Sequence, residues 1–525
     1  MMILRSILIF LGLSLPLHAA SNGAQLYEQH CALCHGVQGT GIPGVFPPLA
    51  NADFLKSHRE KSLRAPLEGL SEKITVNGVA YHGAMPPVLL GDEDLAAVFS
   101  YVFSSWGNQL PAPSVEEIRS LRAKTKHPTL DSLQASMVGQ QLPTPPEGWD
   151  LRVAAELSFS PVRLAMHANG RQVLALSRQG DIWLWNPDQT HLTRLIEASS
   201  YLDPSLGSPS SMGLTVDREG RLYVTCNQRN EKTNPVSNEV TIFRSEPWSK
   251  EDDRSWQKFT PWLRASYPFG IGPYNHGLSH IAQGPDGMMY VTSGARTDGG
   301  ESGDLPNYDQ SGEHHLTATL WRLNPDETPP RIEIFARGLR NSYGFCWDNR
   351  GRLFATENGP DADPPEELNL IEEGRHYGFP YQYADWTNKP YPHSPDLPAG
   401  IEVTQPIRNS TDSLSTFEAH SCPSGIIWLD HTWPKPFADT LLTARFGNLL
   451  KREKDVGFDV VHIQPNESSN RSAKVTTLLA PLGRPIDLLV LPGHQILIAE
   501  YCRGVTFAAG IGTPGRLLIL RPKSK

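Results

Sequence analysis

The sequence has few cysteines, no excess of basic residues and no long apolar run beyond its first 20 residues. Six cysteines in 525 residues are too few for a disulfide-stabilised scaffold. The formal net charge of −9 is opposite to the basic surface that nucleic-acid binding requires, so we expect no nucleic-acid partner. A polytopic membrane protein is excluded because it needs several runs of ~20 apolar residues. Glycine and proline are abundant, at 44 and 45 residues, and they predict many turns between short strands.

Residues 1–20 are interpreted as a cleaved secretory signal. Arg5 supplies a positive charge, an apolar stretch follows over 7–15, and Ala19 and Ala20 form a small-residue cleavage zone. The apolar stretch is shorter than a spanning helix, which makes an uncleaved anchor the weaker alternative. We therefore expect a periplasmic protein with no stable membrane span after cleavage.

A Cys-x-x-Cys-His motif stands at Cys31, Cys34 and His35. It is typical of covalent heme c attachment, in which two thiols bond to the porphyrin vinyl groups and the histidine binds the iron. A redox-active or zinc-binding Cys-x-x-Cys is the alternative, but no second Cys-x-x-Cys is present to complete a zinc site. The motif predicts one covalent heme c.

The sixth iron ligand is predicted to be Met85. This residue lies in a Gly-Ala-Met-Pro-Pro segment, which favours an extended loop that holds the thioether against the iron. His82 is the competing candidate. Coordination by His35 and Met85 raises the reduction potential relative to two histidines and suits an electron acceptor.

An amphipathic helix is predicted next, because apolar residues from Leu95 to Trp106 recur at helical spacing behind acidic residues 92–94. Residues 22–107 resemble a class I cytochrome c, which implies a small all-α domain.

Residues 108–150 are proline-rich and predict a semi-rigid linker. Within it, Ser114 opens one short helix through a capping box.

From residue 151 onwards one unit recurs: a polar turn ending in glycine, a β run and a second strand. The turn glycines are Gly170, Gly220, Gly287, Gly351 and Gly493, with a degenerate copy before the last of them. Six such units predict an all-β six-bladed propeller over 151–525, with a β-sandwich array as the alternative. Loops at one end of its channel are expected to carry the functional residues.

Three segments of the propeller, with a fourth near the end in support, resemble the soluble quinoprotein sugar dehydrogenases of the glucose/sorbosone dehydrogenase family. They are Asn275 to Gly287, Ala336 to Gly344, Glu357 to Tyr381 and Gly483 to Asp487. The resemblance implies a PQQ-dependent (pyrroloquinoline quinone) dehydrogenase with bound Ca²⁺. It covers residues 155–522, beside the cytochrome c-like segment.

Within that resemblance, His276 matches the catalytic base, and Arg340 and Asn341 match the pair that contacts quinone and substrate oxygens. His280 is the rival base, interpreted otherwise as a core histidine. The resemblance implies that His276 removes the substrate hydroxyl proton as hydride leaves. It also implies that Arg340 stabilises the negative charge that develops.

The carbonyls of Gly359 and Pro360 match the pair that holds calcium, and hard oxygen ligands suit that ion. Arg484 matches a basic residue that pairs with a PQQ carboxylate. Arg445 is the available charge where the family has its cofactor lysine, and Ile486 replaces a second arginine.

The acids Asp363, Glu366 and Glu367 are interpreted as a solvated loop, with support of the site as the alternative. The four remaining cysteines allow three complete disulfide pairings, which stay open. They are Cys226, Cys346, Cys422 and Cys502.

These features together predict an exported quinohemoprotein dehydrogenase. It oxidises an aldose or a related sugar or aldehyde with PQQ and passes the electrons to its own heme c. A downstream redox protein or respiratory-chain acceptor then takes them. The alternative is an electron-transfer cytochrome fused to a non-catalytic propeller used for binding or docking.

Overall fold

A computed structural model describes most of the chain and forms two compact units. The described residues are 19–36, 38–41, 46–70, 72–81, 85, 87–132, 142–207, 209–250, 256, 258–270, 275–301, 312–384, 389–411, 415–450, 452–466, 469–509, 511 and 514–523. One unit comprises residues 1–82 and 88–130, and the other comprises residues 83–87 and 131–525. Most of the predicted signal therefore lies outside the described residues.

The first unit is helical, with one short hairpin. Its helices are α1 (Ala19–His30), α2 (Ala32–His35), α3 (Asp53–Ser57), α4 (Arg59–Glu68), α5 (Asp92–Ser104) and α6 (Val115–Arg122), and its strands are β1 (Ile74–Val76) and β2 (Val79–Tyr81). Helix α5 packs on α1 and buries the apolar face that the sequence predicts. Trp106 lies beyond the end of α5, and its ring centroid is 5.0 Å from that of Tyr27.

Helix α6 starts as its capping box predicts. The Ser114 hydroxyl accepts a hydrogen bond from the Glu117 backbone N–H at 3.1 Å. Near the end of the helix, Arg122 donates to Asp92 Oδ1 at 2.6 Å and to the Leu90 carbonyl at 2.7 Å. These buried contacts place α6 within the first unit, which extends past residue 107, where the sequence places the domain boundary.

The second unit is a ring of six sheets whose strands pair antiparallel, except for one short strand that pairs parallel in blade 5. Blade 1 is β4 (Pro161–Met166), β5 (Val173–Ser177), β6 (Ile182–Trp185) and β7 (Leu192–Ile196); blade 2 is β8 (Pro209–Val216), β9 (Arg221–Asn230), β10 (Ser237–Pro247) and β11 (Thr260–Pro268); blade 3 is β12 (Leu278–Gln283), β13 (Met289–Ser293), β14 (Thr319–Leu323) and β15 (Glu333–Arg337). Blade 4 is β16 (Phe345–Trp347), β17 (Leu353–Glu357) and β18 (Glu367–Ile371); blade 5 is β20 (Pro423–Leu429), β21 (Thr440–Arg445), β22 (Asp459–Asn466) and β23 (Ser469–Leu479), with β19 (Arg408–Asn409) added parallel to β23; blade 6 is β24 (Pro485–Leu491), β25 (Gln495–Glu500) and β26 (Arg516–Pro522). The first strands of neighbouring blades pack together at five of the six junctions. At the sixth, the His280 ring of β12 lies edge-on to the Phe345 ring of β16. This confirms the predicted six-bladed propeller.

The ring is closed by pairing between the first strand of the propeller segment and its last strand. Strand β3 (Trp149–Glu156) pairs antiparallel with β26 and becomes the outer strand of blade 6. The first and last propeller segments therefore share one sheet, which ties the start of the propeller to its end and closes the ring.

The recurrent turns explain the repeat and its weak fifth copy. The five turn glycines have φ between 68° and 84°, a region that favours glycine because a Cβ atom is strained there. In blade 5, Asp439 stands directly before β21 with φ 56°. Aspartate tolerates this region better than most residues, so the turn survives without its glycine.

No helix among the described residues is long and apolar enough to cross a membrane.

Candidate functional site

The heme motif lies on α2 of the first unit. Cys31 precedes this helix and Cys34 lies within it, and both are thiols in the structure. His35 is only 8% exposed, and its Nδ1 lies 2.9 Å from the Pro47 carbonyl oxygen. A neutral imidazole that donates from Nδ1 presents its Nε2 lone pair to a metal. The three motif residues therefore fit a covalently attached heme c.

The sixth ligand stays a prediction. Met85 is described as partly buried, whereas residues 82–84 and 86 lie outside the described residues. His82, the competing candidate, is among those.

His276 lies just before β12, at the end of the ring where the first strand of blade 3 begins. Its backbone N–H donates to the Ala295 carbonyl at 2.9 Å, and its Nδ1 lies 3.2 Å from the same oxygen. Burial, aided by the positive charge of Arg340, lowers the pKa of His276 to about 3. The imidazole is therefore neutral near pH 7, with Nε2 available to accept a proton.

Close approach of two backbones shapes this position. A Cβ atom on Gly294 would lie 2.5 Å from the His276 Cβ atom. Only glycine at the end of β13 therefore allows the His276 loop to pack as it does.

Arg340 lies between β15 and β16, and Asn341 follows it. The Arg340 side chain is 3% exposed and donates from Nη2 to Asp298 Oδ1 at 2.5 Å. The Asn341 side chain makes no hydrogen bond with any described residue. The backbone carbonyl of Asn341 accepts a hydrogen bond from the Asn358 N–H at 3.2 Å. Both residues fit a role in ligand binding, and no sequence motif marks Asp298 as part of the site.

Gly359 and Pro360 follow β17 in the loop that leads to β18. Neither carbonyl oxygen accepts a hydrogen bond from a described residue, so both oxygens are available to a hard cation. No group of three or more His, Cys, Asp or Glu side chains in the described part of the chain could hold a metal ion. A calcium ion here would need these carbonyls together with ligand oxygens.

The interpretation of the neighbouring acids as a solvated loop is wrong for two of them. Glu366 and Glu367 are 3% and 1% exposed. Glu366 accepts hydrogen bonds from the Ser421 hydroxyl at 3.0 Å and the Cys422 N–H at 2.6 Å. Burial raises the pKa of Glu366 to about 8. Asp363 is half exposed and pairs with Arg452 at 2.7 Å.

Arg484 is a buried cation without a carboxylate partner among the described residues. Its side chain is 1% exposed and lies over the rings of Phe446 and Phe458, at 5.0 and 4.6 Å. The Nη atoms donate to the carbonyls of Gly447 and Asn448 at 3.1 and 3.2 Å, and Nε has no partner. Burial lowers the pKa of Arg484. A buried charge in this state fits an anionic ligand.

Arg445 has the opposite environment. It donates from Nε and Nη2 to the two carboxylate oxygens of Asp459 at 2.7 and 2.6 Å, and from Nη1 to Glu418. Two carboxylates already compensate its charge. The geometry therefore supports a cofactor role for Arg484 more strongly than for Arg445.

His280 is not a fully satisfied core histidine. Its ring lies edge-on to Phe345 with centroids 4.3 Å apart, and its buried Nδ1 has no partner among the described residues. Burial and the nearby Arg163 hold the pKa of His280 well below its ordinary value.

The four propeller cysteines are thiols in the structure, so none of the three disulfide pairings forms. Three of them have raised thiol pKa values, chiefly because of burial. These three are Cys226, Cys346 and Cys422.

Comparison with known proteins identifies both units. The family described as Glucose / Sorbosone dehydrogenase matches residues 159–446, and the family described as Cytochrome c matches residues 20–106. Cytochrome c-552 of Thermus thermophilus is 38% identical over 134 residues, which cover 24% of this chain and 90% of that protein. Quinoprotein glucose dehydrogenase B of Acinetobacter calcoaceticus is 24% identical over 304 residues, covering 49% of this chain and 62% of its own length.

Two solved structures share the propeller fold. The PQQ-bound aldose sugar dehydrogenase from Streptomyces coelicolor has 20% identity and a TM-score of 0.50, and covers 72% of this chain and 99% of its own. The soluble aldose sugar dehydrogenase from Escherichia coli, in its apo form, has 16% identity and a TM-score of 0.50, and covers 71% of this chain and 100% of its own. At these identities the likeness establishes the fold alone.

Proposed function

The chain belongs to the glucose/sorbosone dehydrogenase family and carries a cytochrome c domain ahead of its propeller, and from this premise we propose that it is an exported PQQ-dependent dehydrogenase. Its substrate is an aldose or a related sugar or aldehyde, and its own heme c receives the electrons. A periplasmic location and a downstream redox protein or respiratory-chain acceptor belong to the same proposal.

One observation carries the proposal. Arg484 is a buried guanidinium with an unpartnered Nε and no carboxylate partner in the described part of the chain. Leaving a buried charge uncompensated is costly, and a bound carboxylate removes that cost. PQQ is a carboxylate-bearing quinone and supplies such a group.

In the propeller unit, different residues bind different groups of the cofactor, the substrate and the calcium ion. Arg484 holds a cofactor carboxylate, Arg340 and Asn341 hold quinone or substrate oxygens, and the carbonyls of Gly359 and Pro360 hold Ca²⁺. In the other unit, Cys31, Cys34 and His35 hold the heme. When bound, PQQ supplies a two-electron acceptor, Ca²⁺ a Lewis acid and heme c a one-electron carrier.

The protein's own contribution to the chemistry is a placed base beside a placed cation. His276 is neutral because burial keeps its pKa near 3, so Nε2 is unprotonated near pH 7. An imidazole of such low pKa is a weak base, and it therefore takes the substrate hydroxyl proton as hydride leaves and not before. Arg340 stabilises negative charge that develops next to this base. Covalent fusion of the cytochrome to the propeller raises the effective concentration of the electron acceptor.

The second candidate is a cytochrome whose propeller serves only for binding or docking. It is favoured by Arg445, whose donors are taken by Asp459 and Glu418, and by Ile486, which supplies no charge. A propeller that had lost its quinone would have no need of cofactor-pairing cations at these positions.

Reconstitution separates the two candidates. The heme-loaded protein is titrated with PQQ in the presence of Ca²⁺ while tryptophan fluorescence reports binding, and aldoses are then added while the heme α band reports reduction. Saturable PQQ binding followed by sugar-dependent heme reduction supports the dehydrogenase. Absence of PQQ binding supports the docking propeller, and binding without reduction by any sugar or aldehyde refutes the proposed activity.

A further inference from the structure

Asp298 is the shared acceptor of three separate segments beside the channel mouth. Its side chain is buried and accepts hydrogen bonds from Arg340 Nη2, from the Asp361 backbone N–H and from the Tyr391 hydroxyl. The Asp361 N–H lies 3.2 and 3.3 Å from the two carboxylate oxygens. These donors come from the β15–β16 loop, the β17–β18 loop and the segment after residue 389.

The contacts of Arg340 fix the plane of its guanidinium. Nε donates to the Asp298 carbonyl at 3.2 Å, Nη2 to the Asp298 carboxylate at 2.5 Å and Nη1 to the Asn358 carbonyl at 3.2 Å. A guanidinium has five N–H groups. Two of them, one on each Nη atom, have no acceptor among the described residues and are available to a ligand oxygen.

Charge reinforces this arrangement. Burial by itself lowers the pKa of Arg340, but the carboxylates of Asp298 and Asp361 outweigh it and raise the pKa above the ordinary arginine value. Arg340 therefore remains a cation inside the protein, and Asp298 is the acid that bonds to it directly.

The same carboxylate reaches the predicted calcium loop. The Asp361 N–H and the Pro360 carbonyl belong to one planar peptide group. The hydrogen bond from this N–H to Asp298 therefore also fixes the direction of the Pro360 carbonyl, one of the two predicted calcium ligands. The Tyr391 hydroxyl donates to the same Asp298 carboxylate. The Tyr391 ring stacks on His393 with centroids 4.9 Å apart. Displacing Asp298 would loosen Arg340 and the Gly359–Pro360 loop together.

We propose that Asp298 is a positioning residue for PQQ, which sets the orientation of Arg340 and the adjoining Asp361 peptide without touching the cofactor. The inference rests on the proposed function. It predicts the opposite of what charge alone predicts. Removing a negative charge beside an anionic ligand should strengthen PQQ binding, because it removes Coulomb repulsion. Loss of positioning should weaken PQQ binding.

The test is a double-mutant cycle read out by PQQ binding to the heme-loaded, full-length protein in the presence of Ca²⁺, with tryptophan fluorescence as the signal. We expect Asp298→Asn to raise the Kd for PQQ on the order of 10-fold. In the Arg340→Met background the same change should alter Kd by less than about twofold, since coupled residues are not additive. The double variant leaves no buried unpaired charge, so it serves if the single variant folds poorly.

Asp348→Asn is the matched control. Asp348 is also buried and pairs with an arginine, Arg352, at 2.6 Å, but it lies in the turn between β16 and β17, at the other end of the hairpin that starts after Arg340. Its loss should lower Tm and leave the Kd for PQQ unchanged.

The outcomes are distinguishable. Unchanged or tighter PQQ binding in Asp298→Asn overturns the inference alone, as do additive effects of the two substitutions. Absence of PQQ binding in the wild type overturns the proposed function and the inference with it. Weaker binding in Asp348→Asn as well would assign the effect to general destabilisation and overturn the positioning role.

Discussion

Arg163 and Asp487 form a buried ion pair at 3.4 Å although 324 residues separate them in the chain. Arg163 lies on β4 of blade 1 and Asp487 on β24 of blade 6, so the pair joins the first and last blades at the centre of the ring. The same guanidinium donates to the carbonyls of Met212 and Tyr343 at 3.1 and 2.7 Å. One arginine thus links three blades and the loop that leads into blade 4.

Breaking that pair should destabilise the propeller. Asp487→Asn leaves the Arg163 charge buried without a carboxylate partner, which costs about 3–5 kcal/mol of unfolding free energy. Denaturant unfolding of the single variant and of an Arg163→Met/Asp487→Leu double variant measures the effect. The double variant should recover most of the loss, and a single variant as stable as the wild type would contradict the assignment.

Replacing Arg484 should separate stability from cofactor binding. Arg484→Met removes a buried, uncompensated cation, so the cofactor-free variant should keep or raise its Tm while its affinity for PQQ falls. Thermal unfolding and PQQ titration of the same sample provide the two readouts. Arg352→Met, on the blade 4 turn, is the control and should leave PQQ affinity unchanged. A destabilised Arg484→Met variant with normal affinity would argue against an anion site.

The pH profile should identify the state of His276. Because burial lowers its pKa to about 3, kcat/KM for sugar-dependent heme reduction should show no acidic limb near pH 6.5. His276→Ala should lower turnover by a factor on the order of 10²–10⁴ and leave heme content and PQQ binding intact. His280→Ala should chiefly cost stability, and a profile in which only that variant loses turnover would reassign the base.

Glu366 should make the stability of the cofactor-free protein depend on pH. Its folded pKa of about 8 lies above the ordinary glutamate value near 4.3, so folding retains a proton that the unfolded chain releases. The stabilisation is complete below about pH 4 and is lost as pH rises through 8. Tm values at pH 5 and pH 8.5 should therefore differ more for the wild type than for Glu366→Gln. The exposed Glu246→Gln is the control and should behave as the wild type does.

Met85→His tests the sixth heme ligand. If Met85 binds the iron, an imidazole in its place should lower the reduction potential, because it stabilises ferric iron better than a thioether does. Potentiometry and the axial-ligand NMR signals of the wild type and the variant provide the measurement. An unchanged potential with unchanged signals would exclude Met85.

Local sequence signals predicted the elements well because they depend on few neighbours. Helix α5 follows from the spacing of Leu95 to Phe103, and the Ser114 cap of α6 follows from one serine and one glutamate. The weak fifth repeat follows from Asp439, which holds a glycine conformation without being glycine. Pattern reasoning failed at Glu366 and Glu367, which read as a polar loop but are buried, because chain segments distant in sequence cover them.

The sequence by itself determined the heme motif, the six-fold repeat and the positions that resemble a quinoprotein site, since each is encoded by residues close together in the chain. Only the tertiary structure decided which charges are compensated. Arg445 and Arg484 look equivalent in sequence, yet Asp459 neutralises the first, and the second has no carboxylate partner among the described residues. Likewise, Asp298 acquires its partners from Arg340, Asp361 and Tyr391, up to 93 residues away. Charge compensation depends on distances of a few ångströms across blades, and those distances exist only once the ring has closed.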